Sequence, residues 1–596
     1  MTQEIIKWDL SDFYTDINDP LIETDIKELE KSATIFNQNT KGKINDPSLT
    51  PKRLLELYKE YEAIIEKAFY FETYSTLLYR INNLDDDVKS FFAKIDEFKV
   101  KIQQNLLFFD LELNEISDGK FEELINSPEL KNYKHALKFN RLKKSHQLSE
   151  KEEQIILMKD IAGLNGFLKL YSELKSQFLF DFEIEGEMKK LTEAELFSFM
   201  YQGDKDRRYK ALQTMMSEYK NNEMVFTHIY NNILKNWDLE SKKKNFEKPI
   251  SRRNLENEVS DEAVEILGKV TTESYHIVEK YYNIKKNLLN LPELHMSDIY
   301  CPVGEIARKY TYQEALELIK ESVTKFYPEF RTIIEKMVEL NHIDATPRQG
   351  KNRGAFCAHG KQKQYGFVFV NFENTVSSVS ALAHELGHAF HAYNIQQNQN
   401  FINIDISLVV AEIASVFNEI LTFDYLMETN LSKEEKILLL CNFIERNFST
   451  SHRQNAFYRF EKVIHDLLER KLPTTQEYKN AFVKEMELMF GNSIVNINEE
   501  YANYCFVISH FLQVPFYVYA YNMANLLVIS IYQLYQEQKE KFVPKYLKLL
   551  SVGSSLSPEE MLAEIGININ DHSFWEKGVK FLSDKIDELV ILVKNN

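Results

Sequence analysis

The chain has 596 residues, with 72 Lys and Arg against 90 Asp and Glu, giving a formal charge of −18. That balance argues against nucleic acid or an anionic membrane as the main partner, and leaves cationic peptides open. Its 44% hydrophobic and 13% aromatic content can fill a large core, while only 17 Gly and 13 Pro favour long helices over a sheet-rich fold.

The first nine residues, Met1 to Asp9, have neither a basic start nor an apolar core, so no signal peptide is expected. Residues 1–120 read as mostly helical. Thr50-Pro51 has the form of an N-cap followed by proline at the first helical position, opening a run to about Arg80. A second helix is expected from about Asp86 to Leu113. Ser149 with Glu152, and Thr192 with Glu195, have capping-box spacing. Phe178 to Ile184 reads as a short strand ending at Gly186. Residues 200–345 continue as helices, with Lys242-Lys243-Lys244 as a solvated helix end. Cys301, Cys357, Cys441 and Cys505 are widely spaced and include no Cys-x-x-Cys. A disulfide framework is therefore not expected, and a reducing cytoplasm fits.

The character changes at 346–374. Gly350, Gly354, Gly360 and Gly366 cluster, and Phe367-Val368-Phe369-Val370-Asn371-Phe372 is rich in strand formers. An edge strand here could hold an extended peptide through its backbone; an ordinary buried strand accounts for the residues equally well.

The next stretch contains His384-Glu385-Leu386-Gly387-His388. Residues four apart share one face of a helix, so two imidazoles at this spacing can reach one metal ion. The glutamate between them can act on a metal-held water. Val379, Leu382, Leu386, Phe390 and Tyr393 form an apolar stripe roughly opposite the histidines. Histidine is scarce, at 14 residues, so the triplet is more informative than a lone histidine. His391 lies on nearly the same face. Cys357 has only His359 nearby, and nothing orients it as a nucleophile.

Two histidines need a third protein ligand and an open coordination position. The largely apolar run from Leu408 to Leu421 contains Glu412 and Glu419. An ionised carboxylate there needs a partner, and residue chemistry alone does not choose between the two.

The pair His384-Glu385-Leu386-Gly387-His388 and Glu412-Ile413-Ala414-Ser415-x-Phe417-Asn418-Glu419 resembles oligoendopeptidase F, of the thimet-oligopeptidase-like zinc metallopeptidases. The resemblance implies that His384, His388 and Glu412 hold one Zn²⁺ per chain, that Glu385 is the catalytic base, and that His391 is not a ligand. It also implies a substrate-binding role for the strand with Gly366 and Phe369, since Gly354-Ala355-Phe356-Cys357 matches as well. Asp298 to Pro302 resembles a family turn, and Arg453-Gln454 to Phe460-Glu461 a segment that we assign to packing.

The last informative stretch is His510 to Tyr521. Tyr517 and Tyr521 share a face if helical, and Tyr519 points elsewhere. On residue types alone this is an aromatic core helix. The resemblance instead implies that His510 and Tyr517 stabilise the transition state and that Tyr521 binds substrate. Tyr504-Cys505 stands where the family commonly has tryptophan, and Asn522-Met523 replaces a small-residue pattern. The apolar region Cys505 to Tyr532 is interrupted by His510, Gln513, Pro515, Asn522 and Asn525. It reads as buried helix, not a membrane span.

The resulting expectation is a mainly α fold: two helical lobes around a deep substrate channel, with a small β-sheet next to the histidine helix. Residues 1–200 would be a helical N-terminal domain and 201–596 the catalytic domain. The function implied is a cytoplasmic zinc endopeptidase acting on short peptides, with no nucleic-acid or membrane partner. A related zinc carboxypeptidase and a non-catalytic peptide-binding protein are the other two readings.

Overall fold

The computed structural model describes residues 5–304, 308–361 and 363–594. Residues 1–4 of the N-terminal stretch lie outside the described residues. The protein is 71% helix and 3% strand. Two compact units are interleaved along the chain: Met1–Ser145, Arg308–Thr429 and Tyr535–Gly566 form one, and His146–Ala307, Asn430–Leu534 and Ile567–Asn596 the other. The packing boundaries thus do not fall at residue 200.

The first unit opens with helices Pro20–Thr40, Pro51–Ile81 and Asp86–Glu115. Thr50 accepts a hydrogen bond from the Arg53 N–H, so the cap and Pro51 start the second helix as the sequence predicts. These helices share one apolar core with the site-bearing segment. Trp8, Phe13, Tyr74 and Phe98 are buried together with Phe367 and Phe369. The Phe13 ring lies 5.5 Å from Phe367, and Trp8 lies 5.7 Å from Phe369. Burying side chains of this size contributes about 1.5–3 kcal/mol each, which ties the amino-terminal helices to the sheet.

That sheet has three strands in the order Ile343–Asp344, Phe367–Phe369, Phe356–Ala358. The first pair is parallel and the second antiparallel, with Val368 opposite Cys357. The edge reading of 367–372 is therefore corrected. Residues 367–369 are the central strand, with both sides used by neighbours, and Phe356–Ala358 is an outer strand. The strand is also shorter than its run of strand formers. Past Phe369 the chain still bonds backward to the first strand, Val370 N–H donating to Asp344 O and Phe372 N–H to Ala345 O, while the Val370 carbonyl accepts from Lys351 Nζ at 2.6 Å.

The side chains of Lys351 and Asp344 are both fully buried, with Nζ 2.7 Å from Oδ1, and Arg348 completes the pairing with contacts of 2.7 and 2.8 Å. This network fixes the register of the sheet against the segment that precedes the site.

Among the described residues the second unit is mostly helical, with the hairpin Phe180–Ile184 and Glu187–Leu191 and one isolated bridge between Leu294 and Ile494. Both expected capping boxes form, at Ser149 with Glu152 and at Thr192 with Glu195. Arg453 lies in the helix His452–Leu468 and donates to the Tyr300 hydroxyl at 2.6 Å. Among the described residues, no single helix is long and apolar enough to cross a membrane. One pair bent by 83°, Ile497–Gln513 with Val518–Lys541, passes on length and composition together. The helix Val518–Gln538 is buried along most of its length. The four cysteines are free thiols.

Candidate metal centre

Helix Val376–Asn398 starts where Thr375 accepts from the Ser378 N–H at 3.1 Å. Val379, Leu382, Leu386 and Phe390 are buried, with the Phe390 ring stacked 4.3 Å from Phe330. The opposite face carries His384 and His388, whose Nε2 atoms lie 3.2 Å apart.

Helix Ile413–Glu428 crosses this helix at Gly387. A Cβ at Gly387 would lie 2.4 Å from Ala414 O and 2.6 Å from Ser415 Cα, so no larger residue fits at the crossing. A glycine inside a helix is costly unless something needs the space, and that is the signal the sequence offered for this approach.

The crossing delivers two carboxylates to the histidines. Glu412 sits at the break between helices Leu408–Ala411 and Ile413–Glu428. Its Oε2 is 3.3 Å from His384 Nε2 and 3.6 Å from His388 Nε2. Ser415 Oγ donates to the same oxygen at 2.6 Å and so orients it. Glu419 approaches the other side of His384, with Oε1 2.5 Å from Nδ1, and Ser380 Oγ donates to its Oε2 at 3.1 Å. Asn418 Nδ2 donates to the Ala383 carbonyl at 2.6 Å and locks the two helices together.

Ligand atoms of His384, His388 and Glu412 all lie within 4.8 Å of one another. Two imidazole nitrogens and a carboxylate oxygen, facing a cleft, match the donor chemistry of a catalytic zinc site with an open position. Glu419 does not share that locus; it holds the back of one imidazole. A carboxylate on Nδ1 keeps the proton there and turns the Nε2 lone pair outward.

Electrostatics separate the two histidines. Burial works against the charged form of His384, but the hydrogen bond and charge of Glu419, with Glu412, raise its pKa overall. Burial instead pushes His388 down to about 4. His391 is buried and held neutral, pushed down to about 3, and stands outside the metal-binding group among the described residues.

The cleft beside these residues has a volume of about 410 Å³. Glu385 lines it, as do Phe356 and Cys357 at the sheet edge and, on its other walls, His359 and Asp405. Of these, Asp405 carried no signal in the sequence, and His359 only its nearness to Cys357. Burial, with Glu385 nearby, drives the Cys357 thiol well above its usual range, opposite to what a nucleophile requires. Phe369 is fully buried in the core. A Cβ at Gly366 would lie 2.7 Å from Ala358 O. Both residues thus serve the sheet, and the Phe369 ring points into the amino-terminal core.

In the second unit, His510, Tyr517 and Tyr521 form a cluster of their own. The His510 and Tyr517 rings are parallel, 6.3 Å apart, and the Tyr521 hydroxyl is 3.5 Å from His510 Nε2. Burial lowers the His510 pKa, favouring the neutral ring. Tyr519 points elsewhere, accepting from Asn257 Nδ2 at 2.9 Å in the interior.

Residues 198–581 match the model of peptidase family M3, and residues 112–180 match that of oligopeptidase F. An oligoendopeptidase F homolog from Borreliella burgdorferi is 27% identical, over 98% of this chain and 97% of its own length. The group B oligopeptidase PepB of Streptococcus agalactiae is 24% identical, over 99% of this chain and 98% of its own. The crystal structure of oligoendopeptidase-F from Enterococcus faecium shares the fold, with a TM-score of 0.70 at 19% identity over 97% of this chain and 99% of that one.

Proposed function

Since the chain belongs to peptidase family M3 and is a peptidase, we propose that it is a zinc-dependent endopeptidase cutting internal bonds of short, unstructured peptides. The observation that carries this reading is the convergence of His384, His388 and Glu412 within 4.8 Å, with Glu385 in the same cleft.

His384, His388 and Glu412 would hold the zinc. A bound zinc would supply Lewis acidity to the water and to the peptide carbonyl. Glu385 takes the proton from the attacking water and returns it to the departing amine. Its position in a largely buried cleft wall suits a base, since proton transfer there meets little competition from bulk water. Tyr517 and His510 donate hydrogen bonds to the oxygen that gains charge as the carbonyl is attacked. Tyr521 contacts the substrate and steadies His510. The outer strand Phe356–Ala358 supplies backbone groups to an extended peptide, with Gly366 allowing the neighbouring strand to approach closely. The division at residue 200 is proposed as one of family segments, supported by matches that end at 180 and begin at 198.

The experiment is a chelator-sensitive assay on a quenched, end-blocked peptide, with metal content measured in parallel. Glu385→Gln is expected to keep its zinc and lose cleavage; retained hydrolysis by that variant refutes the mechanism. Cleavage that requires a free carboxyl terminus would make the protein a carboxypeptidase. Zinc binding without turnover of any peptide would make it a binding protein. A restrictive channel predicts that casein is cut far more slowly than short peptides, and equal rates would argue against one.

A further inference from the structure

Glu461 ends the Arg453 to Glu461 stretch that the sequence assigns to packing, yet it makes one directed contact. It lies in helix His452–Leu468 and is 1% exposed. Its Oε1 accepts a hydrogen bond from the Phe516 N–H at 2.6 Å, across 55 residues of chain. Phe516 has φ 58°, in the left-handed region that a residue with a large side chain adopts only at a cost.

The other end of the same peptide unit is also held. The Pro515 carbonyl accepts from Arg253 Nε at 3.1 Å. One turn beyond Glu461, the His465 ring packs 4.4 Å from the Phe516 ring, and its Nδ1 meets Asp238 at 2.5 Å. The peptide joining Pro515 to Phe516 is thus gripped at its oxygen and at its hydrogen, with the following ring clamped as well. Backbone held in so costly a conformation persists only where its surroundings over-determine it, and such positions cluster at working sites. The next residue is Tyr517.

We propose that Glu461 is a positioning residue: it holds the left-handed turn at Phe516 that sets the Tyr517 ring beside His510. The inference rests on the role proposed above for Tyr517. Burial pushes the Glu461 carboxyl up to about 8, so at neutral pH it is mostly protonated, and Oε1 still accepts when the proton sits on the other oxygen. What the turn needs is an acceptor at that point, not a charge, so glutamine is an adequate replacement.

The test uses the full-length, zinc-loaded protein and the variants Glu461→Gln, Glu461→Leu, Tyr517→Phe and Glu461→Leu/Tyr517→Phe. Hydrogen exchange over residues 512–520 is read beside kcat, KM and zinc content. Glu461→Gln is expected to keep the Phe516 amide protected and kcat within about twofold. Glu461→Leu is expected to expose that amide and lower kcat about 10- to 100-fold, with KM and zinc content nearly unchanged. The double variant should be no slower than its slower parent. Unaltered exchange in Glu461→Leu, equal impairment by Gln and Leu, or multiplying effects in the double variant would each overturn the proposal. If Tyr517→Phe keeps full kcat, the reading of Tyr517 fails, and hydrogen exchange still decides whether Glu461 holds the turn. Should Glu461→Leu not fold, Arg253→Met releases the other end of the same peptide and is expected to give the same KM-sparing loss.

Discussion

His384 Nδ1 lies 2.5 Å from Glu419 Oε1, on the side of the ring away from Glu412. Two glutamates seven residues apart, about two helical turns, thus address opposite nitrogens of one imidazole. Glu419 fixes the tautomer and raises the basicity of Nε2, the nitrogen that faces the cleft. Glu419→Gln is expected to weaken zinc binding about 10- to 100-fold while leaving the fold intact. Competition with a chromogenic chelator measures this, and wild-type affinity in the variant would remove Glu419 from the site.

Gly387 is where the histidine helix and the Glu412 helix touch. A methyl group there would sit 2.4 Å from a carbonyl oxygen, so Gly387→Ala must push the helices apart. Overpacking of this kind costs about 1–3 kcal/mol. It would also draw Glu412 away from the histidines, so zinc retention should fall along with the melting temperature. Gly166 is the control: it too lies in a helix, with nothing within 4 Å of its Cβ position. There, Ala is expected to stabilise by about 0.5–1 kcal/mol. Melting curves of both variants decide the matter, and equal behaviour would show that the crossing is not tight.

Much of this centre was legible in the sequence because its parts are local. The spacing of His384 and His388 fixes their shared face, and the capping residues at Thr50, Ser149 and Thr192 make bonds only three residues long. The choice between Glu412 and Glu419 was not legible from residue chemistry. Both sit in the same apolar run, and the difference arises where a helix breaks at Glu412 and crosses another at Gly387. The strand at 367–369 failed as an edge for a similar reason. Its composition reports strand propensity, whereas its place in the sheet depends on Ile343 and Phe356, which arrive from elsewhere in the chain. Glu461 was hidden altogether, since its partner is a backbone N–H 55 residues away.

Asp344 is buried with Lys351 and also receives Arg348. Asp344→Asn would leave a fully buried ammonium without its counter-charge, which costs about 3–5 kcal/mol. Replacing Asp344 and Lys351 together with apolar residues of similar size should cost much less, because the charge that needs compensation is gone. Denaturant titration of the single and double variants tests this. A single variant as stable as the double would show that water or Arg348 relieves the lysine.

Glu461 also predicts a pH dependence of stability. Its carboxyl is raised from the ordinary 4.5 to about 8 by burial. Between those values the folded protein keeps a proton that the unfolded chain has released, so stability falls as pH rises. The contribution is fully present below 4.5 and lost by the time pH passes about 8, with a slope of at most about 1.4 kcal/mol per pH unit for one group. Glu461→Gln has no such proton to lose. Wild type should therefore compare best with Glu461→Gln near pH 5, and the variant should gain on it steadily up to about pH 8 or 9. Other titrating groups are common to both proteins and cancel in the difference of melting temperatures. A difference that stays flat across this range would mean that Glu461 ionises in the folded protein as an ordinary carboxyl does.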